Sequence, residues 1–118
     1  MPVNSKQKGA RFERQLASKL RDLGYEVRRT AQYCGNTGDA ADLVGLPGLH
    51  IEAKHQETMR LYDWMAQAER DAKGKRLPAV FHKKNNAPIL ATMKLDDFMK
   101  IYREWEAGLK EDTKDGQG

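Results

Sequence analysis

The chain has 118 residues, 39% of them hydrophobic and 32% charged, with a formal net charge of +4 and one cysteine, Cys34. That is the size of one domain with a modest core, and no apolar run approaches the ~20 residues of a membrane helix. The lone cysteine excludes an internal disulfide framework and a cysteine-built zinc site, and Met1-Pro2-Val3-Asn4-Ser5 lacks the apolar segment of a signal peptide, so a cytoplasmic setting is expected.

In chain order, residues 1–6 are polar and read as a flexible N-terminus. A helix is predicted over residues 7–23, because Phe12, Leu16, Leu20 and Leu23, with Ala17 beside them, form one stripe; Gly24 follows where a left-handed cap would stop it. Glu13 sits at the border of that buried face. Residues 25–30 alternate as a strand. Residues 31–40, with Cys34-Gly35-Asn36-Thr37-Gly38-Asp39, read as a loop.

Residues 41–44 form a short strand, Gly45-Leu46-Pro47-Gly48 a tight turn, and residues 49–54 the next strand, an economical hairpin. A second helix over 58–72 buries Leu61, Met65, Ala68 and Ala72 with Trp64. Strands follow at 77–83 and 89–93 around the turn Asn85-Asn86-Ala87-Pro88. Asp96 is placed to cap a last helix to Ala107, with Phe98, Ile101, Tyr102 and Trp105 on one face and Gly108 ending it. Residues 108–118 read as a disordered charged tail. One domain over 7–107 results, in the order αβββαββα: an α/β fold with helices packed on a twisted sheet.

The chemistry concentrates in Asp42 and in Glu52-Ala53-Lys54. Alternate strand residues share a face, so His50, Glu52 and Lys54 point together while Leu49, Ile51 and Ala53 face a core. The first face is expected to lie away from that core. The hairpin brings Asp42 beside Glu52, so two carboxylates converge near an ammonium. Carboxylate oxygens suit Mg²⁺, and a bound metal activates water and offsets charge at phosphorus, which is what phosphodiester hydrolysis needs. The Ala53 carbonyl is a further candidate ligand, and Glu13 is the fourth candidate after Asp42, Glu52 and Lys54, expected to hold a second metal or order a metal-bound water. His55 and His82 stay outside the metal set.

Residues 1–94 carry 17 Lys/Arg against 10 Asp/Glu, a balance of +7, whereas residues 95–118 carry 4 against 7, a balance of −3. A basic body suits a polyanionic partner. Lys6, Lys8, Arg11 and Arg14 form a stripe beside the candidate site, followed by Arg28 and Arg29. Lys73, Lys75, Arg76, Lys83 and Lys84 lie in a second cluster with Arg70. None is set to read bases, so the expected contacts are to phosphates. The aromatic stripes exceed what so small a core needs, and part of them is expected to form a two-fold interface.

The motifs resemble those of the PD-(D/E)xK nuclease superfamily, most closely the small archaeal Holliday junction resolvases and their phage-type relatives. Lys8-Gly9-Ala10-Arg11-Phe12-Glu13-Arg14 is similar to the opening of their first helix, with its catalytic glutamate. Tyr25-Glu26-Val27-Arg28-Arg29 and the Gly-rich loop follow. Ala41-Asp42-Leu43-Val44-Gly45 matches the metal-binding aspartate segment and His50-Ile51-Glu52-Ala53-Lys54 the glutamate–lysine segment. Gln67-Ala68 matches a glutamine-containing helix, and the strand with Val80, Phe81 and Lys83 is also similar. Two features depart from the pattern. Ala41 stands where a proline usually precedes the aspartate, and the loop lacks the usual serine, leaving Thr37 as nearest substitute and Cys34 as a weaker one.

The resemblance implies a restriction-endonuclease-like fold with a central mixed sheet and a Mg²⁺-dependent DNA endonuclease, with Mn²⁺ able to substitute. The catalytic set would be Glu13, Asp42, Glu52 and Lys54. It further implies a homodimer cutting the two strands of a four-way junction, in recombination or repair, in a prokaryotic or phage-infected cell. A nicking, repair or restriction-like nuclease of the same fold, or a non-catalytic DNA-binding module, are the alternatives.

Overall fold

The computed structural model describes residues 5–30 and 41–117. The elements run α1 (Ser5–Asp22), β1 (Arg28–Arg29), β2 (Leu43–Val44), β3 (Leu49–His55), α2 (Leu61–Ala72), β4 (Leu77–Lys83), β5 (Leu90–Met93) and α3 (Leu95–Gln117), the expected order. They build one five-stranded sheet in the spatial order β1-β2-β3-β4-β5. β1, β2 and β3 pair antiparallel in turn, β3 and β4 pair parallel, and β4 and β5 antiparallel. The sheet is therefore mixed, with the restriction-endonuclease-like architecture.

The one parallel pair explains the layering. Parallel neighbours need a crossover, here α2, which must cover one sheet face. Trp64, Met65 and Ala68 of α2 pack on Val80 there. On the other face Phe12, Leu16 and Ala17 of α1 pack on Val27, Leu43, Ile51 and Ala53. β3 is thus covered on both sides. The expectation that His50, Glu52 and Lys54 face away from the core is corrected: His50 and Glu52 are each 2% exposed, and Lys54 is half-buried at the strand's end.

Other differences have local causes. The predicted strand 25–30 narrows to Arg28–Arg29; Tyr25 is held instead by a bond from its N–H to the Leu20 carbonyl, closing the end of α1. Gly45 (φ +123°) is the glycine the fold requires. A Cβ there would collide with the Glu26 carbonyl oxygen, because the chain leaving β2 passes directly over the chain entering β1. α2 begins at Leu61, three residues later than predicted, because the Gln56 N–H extends the β3–β4 pairing to the Lys83 carbonyl.

α3 departs most. It begins at Leu95, so Asp96 lies in its first turn, where a carboxylate suits the helix dipole, and the first bond runs from the Phe98 N–H to the Lys94 carbonyl. It continues through Gly108 to Gln117, where the sequence was expected to stop at Ala107 and pass into a disordered tail. A helical glycine costs only about 1 kcal/mol relative to alanine, and good helix formers flank it, with an i,i+4 pair between Lys110 and Glu106. Its aromatic face does not pack on the sheet: Leu95, Phe98, Ile101, Trp105 and Leu109 are 42–72% exposed. Among the described residues no helix is long and apolar enough to cross a membrane.

Candidate active site

The site forms where β2 peels away from β3. Leu43 pairs with Ile51 in the ladder. One residue earlier, the Asp42 N–H still donates to the Ile51 carbonyl at 2.9 Å. The next bond is made by the side chain, with Asp42 Oδ2 accepting from the Ala53 N–H at 2.8 Å. The carboxylate thus replaces a strand at the edge of the ladder. The backbone of Asp42 is held in turn by the Thr30 N–H, 3.1 Å from its carbonyl, while Thr30 Oγ1 donates to the Ala41 carbonyl at 2.5 Å.

Register places Asp42 opposite Glu52 on one face, near enough for the Glu52 charge to act on Asp42. Burial first, then the neighbouring Glu52 charge, push the Asp42 carboxyl up from 3.8 to about 7, against the opposing Ala53 N–H and Lys54. Burial also raises Glu52, with the Asp42 side chain opposing the rise, Asp71 adding to it and Lys54 opposing it. Two buried carboxyls without a full set of cationic partners are the electrostatic form of a cation site, and their hard oxygens fit Mg²⁺.

Glu13 reaches the same place from α1. Its Oε1 lies 2.9 Å from Arg29 Nε in a largely buried pair. Burial raises its pKa, Arg29 opposes this, and Asp42 adds to it. Glu13, Asp42, Ala53 and Lys54 line one open cavity of about 700 Å³, with Arg29, Lys6 and Lys8 on its wall and His55 at its edge. All four acidic and basic members expected of the site are therefore brought together, Glu52 from beneath.

The basic residues divide. In the parallel β3–β4 register Leu49 faces Leu77 and His55 faces Lys83. Lys83, and Lys84 after it, stand at the site's end of the sheet, whereas Lys73, Lys75 and Arg76 precede Leu77 at the other end, roughly 20 Å away along the strand. Arg28 and Arg76 line a separate cavity by Gly45 and Gly48; Arg28 and Arg29, adjacent in a strand, point apart. Arg11 and Arg14 are exposed on α1. Thr37 and Cys34 lie outside the described residues.

Two residues left out of the expected metal set lie beside Glu52. His50 Nε2 lies 2.9 Å from Glu52 Oε1 with both side chains buried. Asp71, from α2, completes a group in which one ligand atom each of His50, Glu52 and Asp71 lie within 4.8 Å of one another. This cluster is consistent with a divalent-metal site. Its signal was present, since Asp71 is three residues past Ala68 and seven past Trp64, on the helix face that was read as purely apolar. Gln67 is exposed; the α2 residue facing Glu52 is Asp71. His82 is buried against Trp64, its Nε2 2.7 Å from Thr92 Oγ1, and burial lowers its pKa. Neither His55 nor His82 joins the acidic cluster.

A family model described as "Phage putative PDDEXK endonuclease" matches residues 4–113. No curated protein matches the chain. Among solved structures, the 1.6 Å structure of Hjc, a Holliday junction resolvase from the archaeal hyperthermophile Archaeoglobus fulgidus, is similar. It aligns with a TM-score of 0.55 and 28% identity over 73% of this chain and 72% of that one.

Proposed function

The chain belongs to this phage PDDEXK endonuclease family, and from that premise we propose that it is a Mg²⁺-dependent DNA endonuclease that resolves four-way junctions as a homodimer. One observation carries the reading. Asp42, immediately before β2, stands opposite Glu52 of β3 and is acted on by its charge, beside an open cavity that Asp42 lines with Lys54 and Glu13. Chance pairing of an exposed edge-strand Glu and Lys would not bury two carboxylates at such electrostatic cost.

In this reading Asp42 and Glu52 hold the cation, with the Ala53 carbonyl and Glu13 completing the donors, and Mn²⁺ substitutes because it accepts the same oxygens. When bound, the cation supplies an acidified water and positive charge at the phosphate. Lys54 places its ammonium against a non-bridging phosphate oxygen and stabilises the charge that builds there. Glu13, held by Arg29, orients the attacking water. Lys6 and Lys8 on the cavity wall seat the flanking phosphates, extended by Arg11 and Arg14 on one side and Lys83 and Lys84 on the other.

Junction selectivity is supported by the similarity to Hjc across nearly three quarters of the chain. A dimer would set one site on each of two strands, and one subunit alone would make one nick. The expected setting is the cytoplasm of a prokaryotic or phage-infected cell, in recombination or repair.

The test compares labelled four-way junction and linear duplex of equal length, with and without Mg²⁺. Preferential, metal-dependent junction cutting is expected. Equal rates would instead assign a nicking, repair or restriction-like nuclease of this fold. Binding without cutting in either metal would leave a DNA-binding module. Asp42→Ala and Glu52→Ala should bind junctions and fail to cut, and cutting by both would remove this site.

A further inference from the structure

α3 carries an apolar seam that the described residues leave largely exposed. Leu95, Phe98, Tyr102, Trp105 and Leu109 recur at spacings of three and four, the a and d positions of two heptads. The aromatics form a continuous row, with Phe98 and Tyr102 centroids 6.2 Å apart and Tyr102 and Trp105 5.5 Å apart. Ile101 flanks the seam. At its start Leu95 shares an apolar groove of about 590 Å³ with Tyr62 and Met65 of α2, and Tyr62 is 94% exposed.

We propose that this seam is the surface on which a second copy of the chain docks, two α3 helices pairing along Leu95, Phe98, Tyr102, Trp105 and Leu109. Three observations fix the occupant. A sustained 3.5-residue repeat selects a helix as partner, because only another helix presents holes at that period. The segment that carries the seam has a charge balance of −3, which repels nucleic acid and so removes it as the occupant. The exposed parts of these side chains, with Ile101 and Tyr62, make a face of roughly 700 Å². That exceeds the usual largest patch of a monomer and approaches the ~800 Å² that each partner buries in a standard interface. A second copy supplies a matching seam by two-fold symmetry.

The surface deepens the homodimer part of the proposed function and is independent of the cutting chemistry. The test is light scattering on the full chain across about 1 to 200 µM, with amide exchange at both ends of the range. Expected are a mass of twice 13.4 kDa and protection over residues 95–109 that rises with concentration. Trp105→Glu with Phe98→Glu should return the mass to one chain while sheet amides keep their protection, and Trp105→Phe should keep the dimer. A single-chain mass at every concentration would overturn the proposal together with the dimer reading, while metal-dependent cutting, measured separately, would still stand. A dimer that survives the double variant, or that leaves α3 amides unprotected, would overturn this surface alone.

Discussion

β3 has two buried faces that differ in what burial does. Toward α1 it presents Leu49, Ile51 and Ala53, and removing their carbon from water stabilises the domain. Toward α2 it presents His50 and Glu52, no less buried, and there burial raises carboxyl pKa values and leaves charge seeking a cation. One strand therefore holds the fold with its odd-numbered residues and poises a site with its even-numbered ones. The lesson is that depth alone does not separate structure from function; the electrostatic state of the buried group does.

The largest expected effect breaks this comparison on the polar face. Glu52→Gln keeps the shape and a hydrogen bond to His50 but removes the charge proposed to hold the cation. Cutting should fall by about 10³-fold or more, about 4 kcal/mol of barrier, with the thermal midpoint unchanged or raised, as read by single-turnover cleavage and calorimetry. A stability loss equal to that of a core variant would erase the distinction between the faces.

Next is the pH response of the metal-free protein. Asp42 titrates at about 7 in the fold and from 3.8 when solvated, so across that interval the native state holds a proton that the unfolded chain has released. Its share of stability is present below about pH 4 and is lost as pH rises to about 7, by up to about 4 kcal/mol. Denaturant titrations from pH 4 to 8 should show the fall. Asp42→Asn should flatten it, and millimolar Mg²⁺ should restore stability at the alkaline end. A curve for the variant as steep as the parent's would locate the effect elsewhere.

On the apolar face, Ile51→Ala should lower unfolding free energy by about 3 kcal/mol, because Ile51 is fully buried beneath α1 and leaves a cavity. Cutting per folded molecule should stay near the parent's, measured below the unfolding transition. The smallest effect sharpens the boundary. Glu13→Gln, on the helix that packs the apolar face but pairs with Arg29 beside the site, should change stability by only about 1 kcal/mol and lower cutting by roughly tenfold. A purely structural Glu13 would reverse that ratio.

Much of this was legible because it rests on period and local chemistry. Alternation in Leu49-His50-Ile51-Glu52-Ala53-Lys54 assigned the two faces of β3 correctly, and Gly45-Leu46-Pro47-Gly48 set the hairpin that aligns Asp42 with Glu52. The covering of the second face was not legible, since that follows from β4 lying parallel beside β3, a pairing between segments 28 residues apart. For the same reason the run of basic residues from Lys73 to Lys84 looked like one patch and is two ends of a sheet.

By itself, then, the sequence determined the elements, their order, the core stripe of α1, and the shared face of Asp42, Glu52 and Lys54, because helix and strand periods dictate which neighbours along the chain point together. Only the tertiary structure decided that His50 and Glu52 on this face are buried toward α2 beside Asp71, that Glu13 arrives with Arg29, and that the aromatic face of α3 stands off the sheet. Those depend on which surfaces meet across the fold, and the energy that selects them is shared among residues far apart in the chain.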